Sequence, residues 1–316
     1  MSPLPQLLSA RLADSGGQLT LDGGLATELG RAGCDLNHPL WSARVLLTNP
    51  AAIVMATRAF AEAGADIVAT ATYQATFEGL ERMGVDRANA EQFFHKAVDL
   101  AREAAVTAGR DRPPLVAASI GPYGAFLADG SEYCGNYGLT IPELARFHRD
   151  RLAVLVETGA DVMGFETFPS AVEARAVADL LTEFPTAEAW ISFSCRDGQH
   201  LWDGSTIEEI AEDLEDHPQI TAIGVNCVDP GHAVELISRL RDAAPDKAVI
   251  AYPNAGRGWN AETGDWRGID TPEDFSRRAL AWREAGASII GGCCQTTPDH
   301  IRALAESTIG SLVGQS

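Results

Sequence analysis

The chain has 316 residues, of which 46% are hydrophobic and 22% are charged, and its formal net charge is −20. This length accommodates one large domain or two modest ones, and the composition is that of a folded globular protein rather than a disordered one. A chain this acidic would repel a phosphate backbone, which argues against nucleic acids and anionic membrane surfaces as partners.

The N-terminal segment MSPLPQLLSARLADSGG has no basic stretch followed by an apolar one, so it does not have the pattern of a secretory signal. No apolar run approaches the ~20 residues that a membrane-spanning helix needs. The six cysteines are sparse and lack the spacing of a small disulfide-bonded domain. We therefore expect a cytoplasmic protein that does not bind membranes.

Eight short apolar runs, rich in Val and Ile, alternate with amphipathic stretches. They are 18–23, 66–72, 114–120, 161–166, 189–194, 220–227, 248–253 and 287–292. Runs of this kind are typical of strands buried on both faces of a parallel sheet. Eight strand–helix units in about 300 residues predict an α/β protein with a (β/α)₈ TIM barrel, and we assign residues 1–316 to a single domain. A doubly wound open sheet is the alternative, but no GxGxxG pattern follows the first run.

Helix starts are predicted between these runs. The spacing of a capping box occurs three times, in Thr140–Glu143, Ser170–Glu173 and Ser205–Glu208. A capping side chain also precedes a proline at three positions, Asn49, Thr271 and Thr297.

The links between predicted strands and helices differ in length at the two ends of the barrel. Helix-to-strand links are short, whereas three strand-to-helix links are long, namely 24–49, 121–139 and 254–270. Loops longer than about 12–15 residues are usually functional. In a (β/α)₈ barrel all strand-to-helix links lie on the face that carries the active site. We therefore predict one elaborated functional face.

The sharpest chemical signal is a set of three cysteines at predicted strand ends. Cys227 ends the sixth run, and Cys293 and Cys294 follow the eighth. Gly291 and Gly292 give the backbone the freedom to turn both cysteines of the pair to one side. Three thiolates with one open position form a catalytic zinc site, and burial as small apolar side chains is the alternative. That alternative suits the remaining cysteines, Cys34, Cys134 and Cys195.

The motifs at the strand ends, taken in order, resemble the homocysteine S-methyltransferase family. They are LDGGLATEL, ATATYQAT, SIGPYGAFLADGSEY, FET, GVNC, YPNAG and GGCCQTTP, between Leu21 and about Leu304. The resemblance is greatest to the short bacterial and plant-type members, which use S-methylmethionine or, less well, S-adenosylmethionine. It implies a zinc-dependent transferase that moves a methyl group from such a sulfonium donor to homocysteine, as in methionine biosynthesis.

The resemblance also implies roles for individual residues. Cys227, Cys293 and Cys294 would be the catalytic and metal-binding residues that hold Zn²⁺, with the homocysteine thiol as fourth ligand. Asp22 and Glu166 would bind the amino group of homocysteine. Zinc coordination deprotonates a thiol, so this chemistry needs no separate general base.

Further substrate-binding residues are predicted at the strand ends. We expect the backbone amides of the Gly-rich turn at 23–26, with Gly23 and Gly24, to bind the substrate carboxylate. Thr72 and Asn226 are expected to line the pocket, and Asn226 to orient the metal ligands.

The loop 121–139 is the candidate lid. A closing loop would exclude water, and its aromatic faces can attract a sulfonium cation. Its chemically notable residues are Tyr123, Phe126, Asp129, Glu132, Tyr133 and Tyr137. An ordered surface loop without this role is the alternative, and Trp259 and Trp266 in the seventh loop are weaker candidates for the same task.

Two other functions fit the same residues. Selenocysteine or another small thiol or selenol could be the acceptor, or the barrel could be a non-catalytic homocysteine sensor. His232, five residues after Cys227, is the histidine to consider as an additional ligand. No pattern in the sequence indicates the oligomeric state or the preferred donor.

Overall fold

The computed structural model describes residues 6–38, 40–256, 258–260 and 265–313, with side chains throughout except at 258–260, 265–266 and 309–313. Ten strands lie in the described residues. They are β1 (Leu19–Thr20), β2 (Ile67–Ala69), β3 (Leu115–Ile120), β4 (Val162–Phe168), β5 (Ala189–Phe193), β6 (Ile220–Asn226), β7 (Ala248–Tyr252), β8 (Gly258–Asn260), β9 (Asp265–Arg267) and β10 (Ala287–Ile290).

Eight of the described strands form a closed parallel barrel. Their order around the sheet is β1-β10-β7-β6-β5-β4-β3-β2. The two ends of this order meet, because Leu21 pairs in parallel with Ile67 and the Asp22 amide donates to the Ile67 carbonyl over 3.0 Å. The predicted (β/α)₈ barrel is confirmed, and each predicted apolar run overlaps one barrel strand.

Helices follow the strands and cover the outside of the barrel. In the described residues they are α1 (Leu7–Asp14), α2 (Leu25–Arg31), α3 (Trp41–Thr48), α4 (Pro50–Glu62), α5 (Phe77–Glu81), α6 (Arg87–Thr107), α7 (Tyr123–Leu127), α8 (Ile141–Glu157), α9 (Ala171–Leu181), α10 (Ile207–Leu214), α11 (Ala233–Ala243), α12 (Pro272–Ala285) and α13 (Pro298–Val313), with a 3₁₀ turn at Ser131–Tyr133. None of these described helices combines the length and apolar character needed to cross a bilayer.

Side-chain caps begin several helices where the sequence predicts them. Asn49 caps α4 and Thr271 caps α12, each with a proline in the first turn. Thr140 and Glu143 form the predicted capping box of α8. Each such cap stabilises a helix by roughly 0.5–2 kcal/mol, because it satisfies an amide that has no partner within the helix.

The capping boxes predicted at Ser170–Glu173 and Ser205–Glu208 are wrong. Thr206 and Glu209 cap α10, one residue later than predicted. Glu173 lies inside the protein, where its carboxylate contacts His148. Sequence spacing does not distinguish a capping carboxylate from one that a neighbouring helix binds.

The three long strand-to-helix loops all emerge at the carboxyl ends of the barrel strands. The first, 24–49, contains α2 and α3, and the second, 121–139, contains α7 and the 3₁₀ turn. The third, 254–270, contains the antiparallel pair β8 and β9. The first two of these loops contribute residues to the cavity at the mouth of the barrel.

The barrel interior is closed below this mouth by the indole of Trp190. Trp190 is completely buried, and Gly164 on β4 leaves room for it, since a Cβ there would lie 2.5 Å from the indole ring. The Trp190 Nε1 donates to the Tyr252 hydroxyl over 3.1 Å.

The N-terminal helix α1, which the sequence analysis does not predict, packs against the opposite end of the barrel. Leu8 and Leu12 contact apolar side chains inside the barrel, among them Leu19 at the start of β1. Glu188, just before β5, accepts hydrogen bonds from the amides of Leu8 and Ser9 over 2.8 and 3.0 Å. A carboxylate at this position also interacts favourably with the positive end of the helix dipole.

Replacing Leu8 with Ala should lower the free energy of unfolding by about 2–5 kcal/mol, because it removes a fully buried side chain and leaves a cavity. Leu7→Ala is the matched control: Leu7 is 40% exposed, and its loss should change stability by less than about 0.5 kcal/mol. Urea denaturation followed by tryptophan fluorescence measures both. Equal effects in the two variants would show that α1 does not seal the barrel.

Candidate active site

A cavity of about 580 Å³ opens at the carboxyl ends of the barrel strands. Most of the predicted site residues line it, namely Asp22, Gly23, Gly24, Glu166, Asn226, Cys227, Cys293 and Cys294. Thr72 is the predicted residue that does not. The barrel therefore brings together residues from four strand ends that are far apart in the sequence.

The sulfur atoms of the three strand-end cysteines meet at the wall of this cavity. Cys227 Sγ lies 2.7 Å from Cys293 Sγ and 3.8 Å from Cys294 Sγ, and all three sulfurs lie within 4.8 Å of one another. None of the three forms a disulfide. Tetrahedral zinc–sulfur bonds of ~2.3 Å would place ligand sulfurs about 3.8 Å apart, so the cluster has roughly the size of one metal site.

Asn226 holds the backbone turn that presents Cys227. The φ of Cys227 is 52°, in the left-handed region that residues other than glycine rarely adopt. The Asn226 Oδ1 accepts from the Thr167 amide over 2.7 Å and from the Ser192 hydroxyl over 2.9 Å, and its Nδ2 donates to Thr167 Oγ1 over 2.7 Å. Thr167 has a φ of 62° as well. Asn226 thus links two strand ends with left-handed backbone, that of β4 at Thr167 and that of β6 at Cys227.

The Cys293–Cys294 pair lies in a turn that has no space for larger neighbours. A Cβ on Gly292 would lie 2.3 Å from Thr296 Cγ2. The Thr296 hydroxyl donates to the Cys293 carbonyl over 2.6 Å and accepts from the Gly24 amide over 2.9 Å. The Gly24 amide, one of those predicted to bind the substrate carboxylate, is therefore already used to hold the cysteine turn.

The donor set of the cluster suits a metal ion. Hydrogen bonds from Cys227 and Cys293 hold the pKa of Cys294 well below its usual value, whereas the contacts with Cys293 and Cys294 raise that of Cys227. A metal ion bound by the cluster would deprotonate the thiols. Thiolates select soft or borderline metals such as zinc and copper(I). The sulfurs also face the cavity, where a further ligand can approach.

Asp22 and Glu166 are buried carboxyl groups in the same wall. Asp22 Oδ2 accepts from the Ala69 amide over 2.7 Å, and Glu166 accepts from the Ser119 hydroxyl. Burial raises the pKa of Asp22 to about 8 and that of Glu166 to about 7. No Lys or Arg is among the described residues that line the cavity. A cationic ligand is therefore the partner that would favour ionisation of both carboxyl groups.

Thr72 lies behind the cavity wall, which differs from its predicted contact with substrate. Its hydroxyl donates to the Ser119 carbonyl over 2.7 Å and lies 2.6 Å from Thr70 Oγ1. The Thr70 hydroxyl accepts from the Ser119 amide over 3.0 Å, and Thr70 and Ser119 do line the cavity. Thr72 therefore supports Ser119, which in turn binds Glu166.

The candidate lid is divided between the cavity and an outer aromatic cluster. Glu132 and Tyr133 line the cavity. Tyr123 and Phe126 pack instead against Phe147 of α8, with ring centroids 4.9 and 5.5 Å away. The outer cluster anchors the loop, while the segment around Glu132 reaches the site.

Three further aromatic residues of the lining, Trp41, Tyr73 and Tyr252, have no predicted role. Trp41 begins α3, and its ring meets that of Tyr73 edge-on with 6.1 Å between centroids. Tyr252 ends β7. Trp41 lies in a long strand-to-helix loop, and Tyr73 and Tyr252 lie at strand ends. These positions are the sequence features that could have identified them as lining residues. The side chains of Trp259 and Trp266 lie outside the described residues.

Other candidates from the sequence lie apart from the cysteine cluster. His232 precedes α11 and does not belong to the group of metal-binding side chains found in the described residues. Cys195 is buried, as predicted, but Cys34 is only half-buried and Cys134 is exposed. The burial prediction is wrong for these two because both lie in loops.

A buried chain of hydrogen bonds holds the start of the lid. Arg151 donates to the Gly121 carbonyl over 2.8 Å and to His148 Nδ1 over 2.9 Å. His148 Nε2 lies 2.8 Å from Glu173 Oε1, which also accepts from the Tyr123 amide over 2.6 Å. Because Nδ1 accepts from Arg151, the proton of the neutral imidazole is on Nε2. Burial, reinforced by Arg151, lowers the pKa of His148 well below its usual value.

Comparisons with known proteins agree with one another. A family model described as "Homocysteine S-methyltransferase" matches residues 19–308. The chain is 44% identical over 312 residues to homocysteine S-methyltransferase YbgG of Bacillus subtilis, covering 96% of this chain and 97% of that protein. It is 42% identical to homocysteine S-methyltransferase 2 of Arabidopsis thaliana, covering 93% of each, and 42% identical to selenocysteine Se-methyltransferase of Brassica oleracea, covering 93% and 89%.

Among solved structures, the metallated form of the homocysteine methyltransferase MmuM from Escherichia coli superposes on this chain with a TM-score of 0.83. The two sequences are 38% identical, and the superposition covers 96% of this chain and 99% of that one. Together with the three-cysteine cluster, this neighbour indicates a metal site.

Replacing His148 with Gln should make stability less dependent on pH below neutrality. Unfolded histidine takes up a proton near pH 6.5 but the buried, folded His148 does not, so the wild type loses up to about 1.4 kcal/mol per pH unit below 6.5 that the variant retains. Chemical denaturation at pH 7, 6 and 5 measures the slope. His95→Gln, on the exposed side of α6, should retain the wild-type slope. Identical slopes in all three proteins would contradict a neutral, buried His148.

Proposed function

This chain belongs to the homocysteine S-methyltransferase family, and from this premise we propose that it transfers a methyl group from a sulfonium donor to the thiol of homocysteine, forming methionine. The observation that carries the proposal is the convergence of three thiols and two buried carboxyl groups on one cavity. S-Methylmethionine is the proposed donor, with S-adenosylmethionine second, and the reaction with S-methylmethionine yields two methionines.

Cys227, Cys293 and Cys294 are the proposed ligands of Zn²⁺. Their sulfurs lie within 4.8 Å of one another and face the cavity, so the donor set fits a single ion with an open position. When bound, zinc with three thiolates would deprotonate the acceptor thiol while leaving it electron-rich and nucleophilic. Asn226 and Thr296 hold the turns that present the cysteines.

Asp22 and Glu166 are the proposed partners of the homocysteine ammonium group. Burial raises the pKa of both carboxyl groups towards neutrality. An ammonium ligand favours the ionised carboxylates, so binding the cation and ionising the pair reinforce each other. Ser119, held by Thr72 and Thr70, keeps Glu166 in place.

The methyl transfer itself joins opposite charges. The acceptor thiolate attacks the methyl carbon, the bond from that carbon to the donor sulfur breaks, and its electron pair remains on the donor as a neutral thioether. Charge is cancelled in this step, so a water-poor site favours it. Tyr73, Tyr133 and Trp41 provide aromatic faces that can attract the sulfonium before reaction.

We further propose that residues 1–316 act as one domain on small-molecule substrates in the cytoplasm. The net charge of −20 is the argument against nucleic-acid partners. Assays of methionine formation with S-methylmethionine, S-adenosylmethionine and betaine in parallel would establish the donor. Competition between homocysteine and selenocysteine would establish the acceptor, and tight homocysteine binding without any methyl transfer would indicate a sensor.

Cys293→Ala should abolish both metal binding and turnover. The wild type is expected to contain about one zinc per chain, and removing one of three ligands should leave the site without stable metal. Elemental analysis and methionine formation measure the two effects. Cys34→Ser, which changes a cysteine outside the cluster, should retain both. Full activity in the Cys293 variant would refute the mechanism.

Asp22→Asn should raise KM for homocysteine by about 10- to 100-fold, because hydrogen bonds to charged groups contribute ~1.5–3 kcal/mol. Zinc content should not change, since Asp22 is not a proposed ligand. The measurement is methionine formation at varied homocysteine and saturating donor, with exposed Asp99→Asn as control. An unchanged KM would show that Asp22 does not bind homocysteine.

A further inference from the structure

Glu132, a residue of the lid, has a carboxylate oxygen without a hydrogen-bond partner among the described residues. Its Oε2 atom is buried and has no hydrogen-bond partner in the described structure, and its side chain lines the cavity. A buried acceptor without a donor is unfavourable, and no Lys or Arg from the described lining is available to supply one. A bound molecule that carries N–H donors can supply the missing hydrogen bond.

The backbone around Glu132 is well supported. A Cβ on Gly124 would lie 2.4 Å from the Glu132 amide nitrogen, so α7 packs directly against this segment. The Glu132 carbonyl accepts from the Ser194 hydroxyl over 3.4 Å. Behind α7, the Tyr123 amide donates to buried Glu173. The backbone that carries the Glu132 side chain is thus held by α7 on one side and by Ser194 on the other.

Glu132 lies in different surroundings from the two strand-end carboxyl groups. Asp22 and Glu166 are close enough to each other that, after burial itself, the Glu166 charge raises the pKa of Asp22. Burial raises the pKa of Tyr73 most, followed by the charge of Cys227. The charge of Glu132 raises it further. The lining of the cavity therefore has acidic side chains both at the strand ends, Asp22 and Glu166, and in the lid, Glu132.

We propose that Glu132 binds the α-ammonium group of the methyl donor, so that the site selects sulfonium donors that are themselves α-amino acids. This inference rests on the function proposed above. It gives each of two amino-acid substrates its own acidic partner: the strand-end pair for the acceptor and the lid carboxylate for the donor.

Two chemical arguments favour the ammonium over the sulfonium as the partner of Glu132. The unsatisfied Oε2 needs a hydrogen-bond donor, and an ammonium group has three N–H donors whereas a sulfonium sulfur has none. In addition, the sulfonium charge disappears during methyl transfer. A carboxylate paired with it would stabilise the substrate more than the transition state, whereas the ammonium charge is the same in both.

The test compares two donors in the wild type and in Glu132→Gln. The donors are S-methylmethionine and 4-dimethylsulfoniobutanoate, which is the same molecule without its amino group. In the variant, KM for S-methylmethionine should rise about 10- to 100-fold while kcat stays nearly constant, because the lost interaction is equal in substrate and transition state. Kinetics with 4-dimethylsulfoniobutanoate should not change, so the preference between donors disappears.

Controls separate this role from a structural one. Zinc content and KM for homocysteine should be unchanged in Glu132→Gln, and Glu132→Asp, which keeps the charge, should recover part of the preference. Glu103→Gln, on the exposed side of α6, is the matched carboxyl-to-amide control. Equal losses with both donors, a fall in kcat, or an unchanged KM would each overturn the inference. A wild type inactive with every sulfonium donor would instead overturn the proposed function.

Discussion

The closure of the parallel barrel is the constraint on which the whole site depends. Cys227 and Cys293 are 66 residues apart, yet only β7 separates their strands in the sheet, and closure brings the strand ends around one mouth. The same geometry gathers Asp22 and Glu166 beside the thiols. The result is a cavity that concentrates potential negative charge without any basic side chain among its described lining residues. Such a cavity is incomplete without cations, whether these arrive as a metal or as charged substrates.

The groups that face the cavity are positioned by a second layer of polar side chains. Asn226 links the ends of β4 and β6, Thr296 links the cysteine turn to the first loop, and Thr72 supports Ser119. Glu173 belongs to the same layer further out, at the start of the lid. Buried polar networks of this kind are stable only when nearly every member is satisfied, which limits how far such residues can change without moving the site.

The barrel and the cysteine cluster could be predicted from the sequence because each depends on a regular pattern. Eight apolar runs separated by helical segments define the strands, and strand-end position brings the cysteines to one face.

Other features depend on contacts between distant elements. The spacing around Glu173 is that of a capping box, and only the packing of α8 on α9 reveals its buried partner. Thr72 follows a strand, as the lining residues do, but its side chain points away from the cavity towards the Ser119 carbonyl. Helix α1 is short, and its role is defined only by the open end of the barrel that it covers.

Trp190 and α1 close one end of the barrel, so among the described residues the cavity opens at the carboxyl ends of the strands. Acceptor, donor and both products must all pass through the mouth that the lid adjoins. Asp22 and Glu166, at 5% and 9% exposure, are less accessible to solvent than half-buried Glu132. In the proposed arrangement, a substrate at the strand ends would be covered by a second one at the lid. With the acceptor at the strand ends and the donor at the lid, as proposed, the acceptor would have to enter first and the methylated acceptor would leave last.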